Sequence, residues 1–98
     1  MSIFKLLESI TLLTAPPSGS INVRRGEPIA GEYGNWTPCA ILSNGSFYAS
    51  VFQPGRGNHQ ICALDTPYQF DKDALRHAVQ LAVVASGAGE IMTGAISK

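Results

Sequence analysis

The sequence has no charged residue from Tyr33 to Gly55, and an Asn-Gly pair lies in the middle of this segment. Asn44 and Gly45 both tolerate the positive φ of a type I′ turn, so the pair is a strong signal for a two-residue β-hairpin. The apolar runs around the pair, and a third run further on, predict three short antiparallel strands at 38–43, 46–52 and 59–64. This segment constrains the fold more than any other feature of the chain.

The two turns set the register of these strands. A two-residue turn at Asn44-Gly45 places Cys39 opposite Ser50, and the second hairpin places Ser50 opposite Cys62. Both faces of the predicted sheet are then apolar. One face carries Ala40, Leu42, Phe47, Ala49, Val51, Ile61 and Ala63, and the other carries Cys39, Ile41, Tyr48, Phe52, Cys62 and Leu64. The second face must be covered either by the chain itself or by a partner.

Helical patterns flank the strands. Ser2 is a candidate cap for an N-terminal helix, whose apolar residues Ile3, Leu6, Leu7 and Ile10 fall on one side. A buried C-terminal helix is predicted from an N-cap at Asp71 to about Ala85, closed by Gly87. Residues 89–96 read as an edge strand. The expected order is α-β-β-β-α-β, an α+β fold with a three- to four-stranded antiparallel sheet.

Composition limits the class of protein. The 98 residues predict one domain spanning 1–98, with a long Gly- and Pro-rich loop at about 15–37 that contains a candidate short strand at 21–24. Seven basic and seven acidic residues balance, so no strong field attracts nucleic acid or an anionic membrane. Glu8 interrupts the apolar N-terminus, which argues against a signal peptide. We therefore expect a cytoplasmic protein without a membrane-spanning segment, in the host cytoplasm if it is phage-encoded.

Residues suited to catalysis or metal binding are few. Cys39 and Cys62 share a face but have Ser50 between them, too far apart for one metal ion or a disulfide. His59 and Cys62 are expected on opposite faces of their strand. A Cys62–His77–Asp65 arrangement can be drawn, but no nucleophile elbow, nucleotide loop or carboxylate pair supports it. The sequence predicts no cofactor, no metal and no enzymatic activity.

Arginines and aromatic residues near the loops have the composition of recognition surfaces. They predict a partner-binding surface formed by Arg24, Arg25, Tyr33, Trp36 and Arg56. An alternative is a nucleic-acid-binding module that uses Arg24, Arg25, Arg56 and Lys72. A third interpretation is a homodimer, paired either through the 91–96 edge or through the sheet face Ile41, Tyr48, Phe52 and Leu64.

Two resemblances bear on function. The order helix, three-stranded sheet, helix resembles a double-stranded-RNA-binding domain, but Asp71-Lys72-Asp73 stands where that family has adjacent lysines. In size and sheet-plus-helix architecture the chain also resembles small phage-encoded inhibitors of the anti-CRISPR type, without a shared motif. That resemblance implies a non-enzymatic protein that binds a host complex, either of protein alone or of protein with nucleic acid, in stoichiometric amounts.

Overall fold

A computed structural model describes residues 13–55 and 59–87. In these residues six strands precede one helix. The elements are β1 (Leu13–Thr14), β2 (Ile21–Arg25), β3 (Ile29–Gly31), β4 (Gly34–Ser43), β5 (Ser46–Phe52), β6 (Gln60–Tyr68) and α1 (Asp71–Ser86). The strands form one antiparallel sheet in the order β1-β6-β5-β4-β2, and β3 also pairs with β4. The uncharged segment supplies the two central strands, β4 and β5.

The predicted hairpin registers are confirmed. Ser43 pairs with Ser46 and Cys39 with Ser50 across the first hairpin, and Ser50 pairs with Cys62 across the second. Asn44 and Gly45 have φ values of 52° and 81°, as a type I′ turn requires. The local signal of the turn therefore fixed the faces of the central strands correctly.

Much of the segment expected as a loop at about 15–37 runs along one side of β4, and the candidate strand at 21–24 is confirmed as β2. Within it, β2 pairs with the second half of β4, from Ile21 opposite Leu42 to Arg25 opposite Cys39. After a hydrogen bond from the Gly26 amide to the Pro38 carbonyl at 2.9 Å, β3 pairs with the first residues of β4. Two strands thus lie end to end on this edge.

Helix α1 covers one face of the sheet. Small residues on one side of the helix let it approach closely, and Ala78, Leu81 and Ala82 pack against the sheet residues Ala49, Val51 and Ala63. Gly87 closes the helix in the left-handed conformation, as predicted, with φ 88°. Phe70, rather than Asp71, occupies the N-cap position, and it makes no side-chain capping bond.

The other face of the sheet is concave. Gln60 Nε2 in β6 donates hydrogen bonds to Ser50 Oγ in β5 at 2.7 Å and to Asn22 Oδ1 in β2 at 2.9 Å. Because β2 and β6 are three strand spacings apart, a flat sheet would separate them by about 14 Å. The side chains meet only because the sheet coils strongly toward this face. Its residues Cys39, Ile41, Ser50 and Cys62 are fully buried.

The predicted fold class is wrong. The described residues form six strands rather than three or four, and they begin with the strand Leu13–Thr14. No helix precedes the strands in this part of the chain, so the order α-β-β-β-α-β does not hold. The rest of the predicted N-terminal helix lies in residues 1–12, and the predicted edge strand lies in residues 89–96. Both ranges are outside the described residues. The physical reason for the error is that β1 and β3, of two and three residues, are too short to show alternation and form by pairing with β6 and β4.

Candidate functional site

The outermost strand on one side of the sheet is exposed along its whole length. All five residues of β2 are solvent-exposed, including 56% of Ile21 and 37% of Val23. No described strand pairs with the outer side of β2. Unpaired backbone groups on an edge strand are a template for pairing with another chain. We call Ile21–Arg25 the β2 edge.

The side chains of the two arginines of the β2 edge lie on opposite faces of the sheet. A bulge between Asn22 and Arg24 leaves Val23 without a partner in β4 and shifts the register. Arg24 then lies on the helix side, where its Nε is 3.4 Å from Asp71 Oδ2. Arg25 lies on the concave side, with its guanidinium 4.4 Å from the centre of the Phe52 ring. The edge thus carries one cation on each face.

The structure brings together only part of the predicted partner-binding set. Arg24 and Arg25 are neighbours on the β2 edge, and Tyr33 lies beyond β3 in the turn to β4, where it is 79% exposed. Trp36 is half-buried and packs against the core beneath the helix, so its indole is largely used inside the fold. Arg56 lies outside the described residues.

The sheet face predicted as a dimer surface is largely internal. Ile41 is fully buried within the chain, while Tyr48, Phe52 and Leu64 are half-buried. Phe52 is further occupied by the Arg25 guanidinium. Ile41 therefore offers no surface to a second copy, and the other three offer little.

A cleft on the helix was not predicted. It encloses about 280 Å³ and is lined by Tyr68 at the end of β6 and by Asp73, Arg76, His77 and Gln80 of α1. The helical residues follow the spacing i, i+3, i+4, i+7, which places them on one side of the helix. That spacing was the available sequence signal. It was missed because the same segment was read as buried nearly all round, whereas Gln80 and Val79 are exposed.

The electrostatics of the cleft favour a neutral histidine. Burial lowers the pKa of His77, and the negative charge of Asp65 only partly opposes this. The imidazole meets the Tyr68 ring edge-on, with 5.7 Å between ring centres, and its Nδ1 is buried without a hydrogen-bond partner. Asp73 Oδ1 lies 3.9 Å from Arg76 Nη1 on the same side of the helix.

The cysteines are inert. Cys39 and Cys62 are buried free thiols on the concave face, with Ser50 between them. Burial raises the pKa of Cys62 to about 12, helped by the neighbouring Cys39, and burial likewise raises the pKa of Cys39 against the pull of Arg25. The sheet separates Cys62 from His77, which lies on the helix side. The Cys62–His77–Asp65 arrangement therefore does not assemble.

Residues 13–55 and 59–87 contain neither a cluster of metal ligands nor a helix suited to a membrane. No group of three His, Cys, Asp or Glu side chains is placed to hold a metal ion there. In the same residues, no helix combines the length and apolarity that a membrane crossing requires.

Comparison with protein-family models, curated proteins and solved structures gave no match. The β2 edge and the helix cleft are therefore the features of the described residues that bear on function.

Proposed function

We propose that this chain is a non-enzymatic protein that binds a protein partner stoichiometrically through the β2 edge. The observation that carries the proposal is the exposure of two large aliphatic side chains, Ile21 and Val23, on an outer strand that no described strand covers. Aliphatic side chains next to arginines supply both the apolar contact area and the hydrogen-bonding groups that protein interfaces use. Exposed Tyr33 lies further along the same side of β4, in the turn after β3.

A protein partner suits this surface better than a nucleic acid does. Arg24 already forms an ion pair with Asp71, and in the sequence Lys72 lies between Asp71 and Asp73. Phosphate binding depends on cations that are free to replace counterions. Acids beside the cations reduce that gain, whereas a protein surface can present both donors and acceptors to such a mixed patch.

The proposal includes a more specific hypothesis about the partner. Small size and the absence of a catalytic motif in the sequence are consistent with a phage-encoded inhibitor of the anti-CRISPR type, acting in the host cytoplasm on a host protein complex. The corrected element order removes the resemblance to a double-stranded-RNA-binding domain, whereas the inhibitor hypothesis rests on size, on a sheet-plus-helix make-up and on the β2 edge.

The test is an affinity pull-down of the tagged chain from host lysate, with and without nuclease, read by mass spectrometry. Two matched variants decide whether the β2 edge is responsible: Val23→Ser on the edge and Val79→Ser on the helix, because both valines are 37% exposed. Circular dichroism confirms that each variant is folded.

A protein complex retained in near-stoichiometric amount after nuclease, lost with Val23→Ser and kept with Val79→Ser, supports the proposal. Loss of all retained material on nuclease treatment favours the nucleic-acid interpretation instead. Equal retention by the two variants refutes the assignment of the β2 edge.

A further inference from the structure

We infer that the β2 edge takes its partner by strand addition, and that the added segment is extended and acidic. The inference rests on the proposed function, because it specifies the partner of the same surface. In strand addition the peptide backbone extends the sheet by one strand, and its side chains are selected by neighbours on the two faces. An outer strand that no described strand pairs with is the structural requirement.

The positions of the arginines define the charge of the added segment. Successive residues of a strand point to opposite faces, so Arg24 and Arg25 present one guanidinium on each side of the sheet edge. An added strand with two adjacent carboxylate residues places one carboxylate on each face, directly across from a cation. Cross-strand pairs of opposite charge stabilise a sheet, and like charges destabilise it.

The two guanidinium groups are not equivalent. Arg24 shares its charge with Asp71 at 3.4 Å, so an incoming carboxylate competes with an existing partner. Arg25 stacks on Phe52, a contact that orients the planar group while leaving its N–H donors available. Arg25 is therefore the main determinant of charge selection, and the concave side of the edge contributes more than the helix side.

The other half of the edge selects for apolar residues. Ile21 and Val23 expose aliphatic surface that an alternating partner strand covers with its own β-branched side chains. The preferred segment is thus apolar beside Ile21 and Val23, and acidic beside the arginines.

A second copy of the chain fits the edge poorly. Two β2 edges would bring four guanidinium groups onto one short ladder, and β2 contains no acid. Glu27 lies beyond the end of β2, next to Pro28, which has no amide hydrogen to continue the pairing.

The probe is a fluorescein-labelled ten-residue peptide of alternating Thr and Val that contains an adjacent Glu pair, titrated with the full chain and followed by fluorescence anisotropy. Two control peptides differ in one respect each. One has Lys in place of the Glu pair, and the other is the acidic peptide with alternate backbone nitrogens methylated, which removes hydrogen-bond donors but keeps the charge.

We expect the acidic peptide to bind at least about tenfold more tightly than either control, since about 1.4 kcal/mol of differential interaction corresponds to tenfold. Arg25→Glu should weaken its binding by about tenfold or more, because it replaces an attraction by a repulsion. Arg76→Glu is the matched control: it makes the same change of charge at a 74%-exposed side chain on the helix and should alter binding by less than about twofold.

Three results would overturn the inference. Equal binding of the acidic and basic peptides removes charge selection, and equal binding of the methylated peptide removes strand addition. Failure of every peptide to bind, together with a captured partner that Val23→Ser releases, shows that the proposed function holds but that the partner uses another mode. If the pull-down fails as well, the proposed function itself is refuted.

Discussion

The polar network on the concave face provides the sharpest stability prediction, with Ser50→Ala as the perturbation. Ser50 is fully buried; its Oγ donates to the Cys39 carbonyl at 2.9 Å and accepts from Gln60 Nε2 at 2.7 Å. Alanine is nearly isosteric, so the change removes hydrogen bonds without a large cavity. If the network holds β6 against β2 as the geometry indicates, its loss must appear in the free energy of unfolding.

The expected cost follows from the bonds that are lost. Each buried hydrogen bond contributes about 1 kcal/mol net, so the loss of two costs about 2 kcal/mol. One N–H of the Gln60 side-chain amide keeps its bond to Asn22, while the other loses its acceptor in a buried place and adds to the cost. We therefore expect a total of about 2 to 3 kcal/mol. For a domain of this size that lowers the melting temperature by roughly 10 °C or more.

The assay is urea denaturation followed by the fluorescence of the single tryptophan, Trp36, which packs against the core. Ser43→Ala is the matched control. Ser43 is also buried but makes no side-chain hydrogen bond to another described residue, and we expect its substitution to cost less than about 0.5 kcal/mol. The double variant Ser50→Ala/Gln60→Leu should cost about 1 kcal/mol less than the sum of the two single variants, because they share one bond.

A cost for Ser50→Ala equal to that of the control would refute the reasoning. Additive costs in the double variant would show that the Ser50–Gln60 bond contributes nothing to stability. Either result would remove the network as a cause of the coiling of the sheet.

Three other substitutions or measurements test the remaining parts of the structure. Gly31→Ala should lower the free energy of unfolding by about 1 to 3 kcal/mol, because a Cβ there would lie 3.0 Å from both the Ser86 carbonyl oxygen and Trp36 Nε1. Urea denaturation measures the cost, and Ala30→Ser at an exposed position should leave stability unchanged. Burial lowers the pKa of His77 below its ordinary 6.5, so the stability that neutral His77 contributes is complete above pH 6.5 and is lost as the pH falls toward the lowered pKa. The melting temperature should therefore fall less between pH 7.5 and 5.5 in His77→Gln than in the unaltered protein. An equal fall in the two proteins contradicts the lowered pKa. Burial raises the pKa of Cys62 to about 12 and also raises the pKa of Cys39, so neither cysteine should react with a thiol reagent at pH 8 until urea unfolds the chain. For the same reason the free energy of unfolding should decrease as the pH rises above 9. Rapid labelling of the native chain would show that the thiols are accessible.

The parts of the fold that were predictable have local causes. Asn44-Gly45 determines a turn by backbone conformation alone, and that turn fixes the facing pairs of β4 and β5 through strict alternation. Gly87 ends the helix for a similarly local reason, since glycine adopts positive φ without steric cost. In each case the determining residues are neighbours in the sequence.

The parts that failed depend on distant residues. β1 and β3 have only two and three residues, too few for alternation to show, and they form by pairing with β6 and β4. The candidate strand at 21–24 does alternate, but all five residues of β2 are exposed, so pairing with β4 rather than burial stabilises it. The same holds for the candidate site. Arg24 and Arg25 were predicted in one surface, and alternation along the strand turns them to opposite faces. Which of the two faces the helix is set by the bulge at Val23, which the sequence does not reveal. Trp36 was predicted on the partner-binding surface, whereas it packs against the core. The sequence does not separate the two roles, because aromatic side chains near strand ends occur in cores and in interfaces alike.

The two faces of the sheet leave the β2 edge as the surface most open to a partner. Helix α1 covers one face with closely packed alanines, and a partner could reach that face only by displacing the helix. The concave face is fully buried at Ile41 and Ser50, and a partner there would have to break the network that holds Gln60 against β2. Strand addition at the edge requires neither change, because it uses backbone groups that lie outside both packed faces. Binding at the edge therefore disturbs the packed faces least. The charge of Arg25 can make this binding selective without any change in the core.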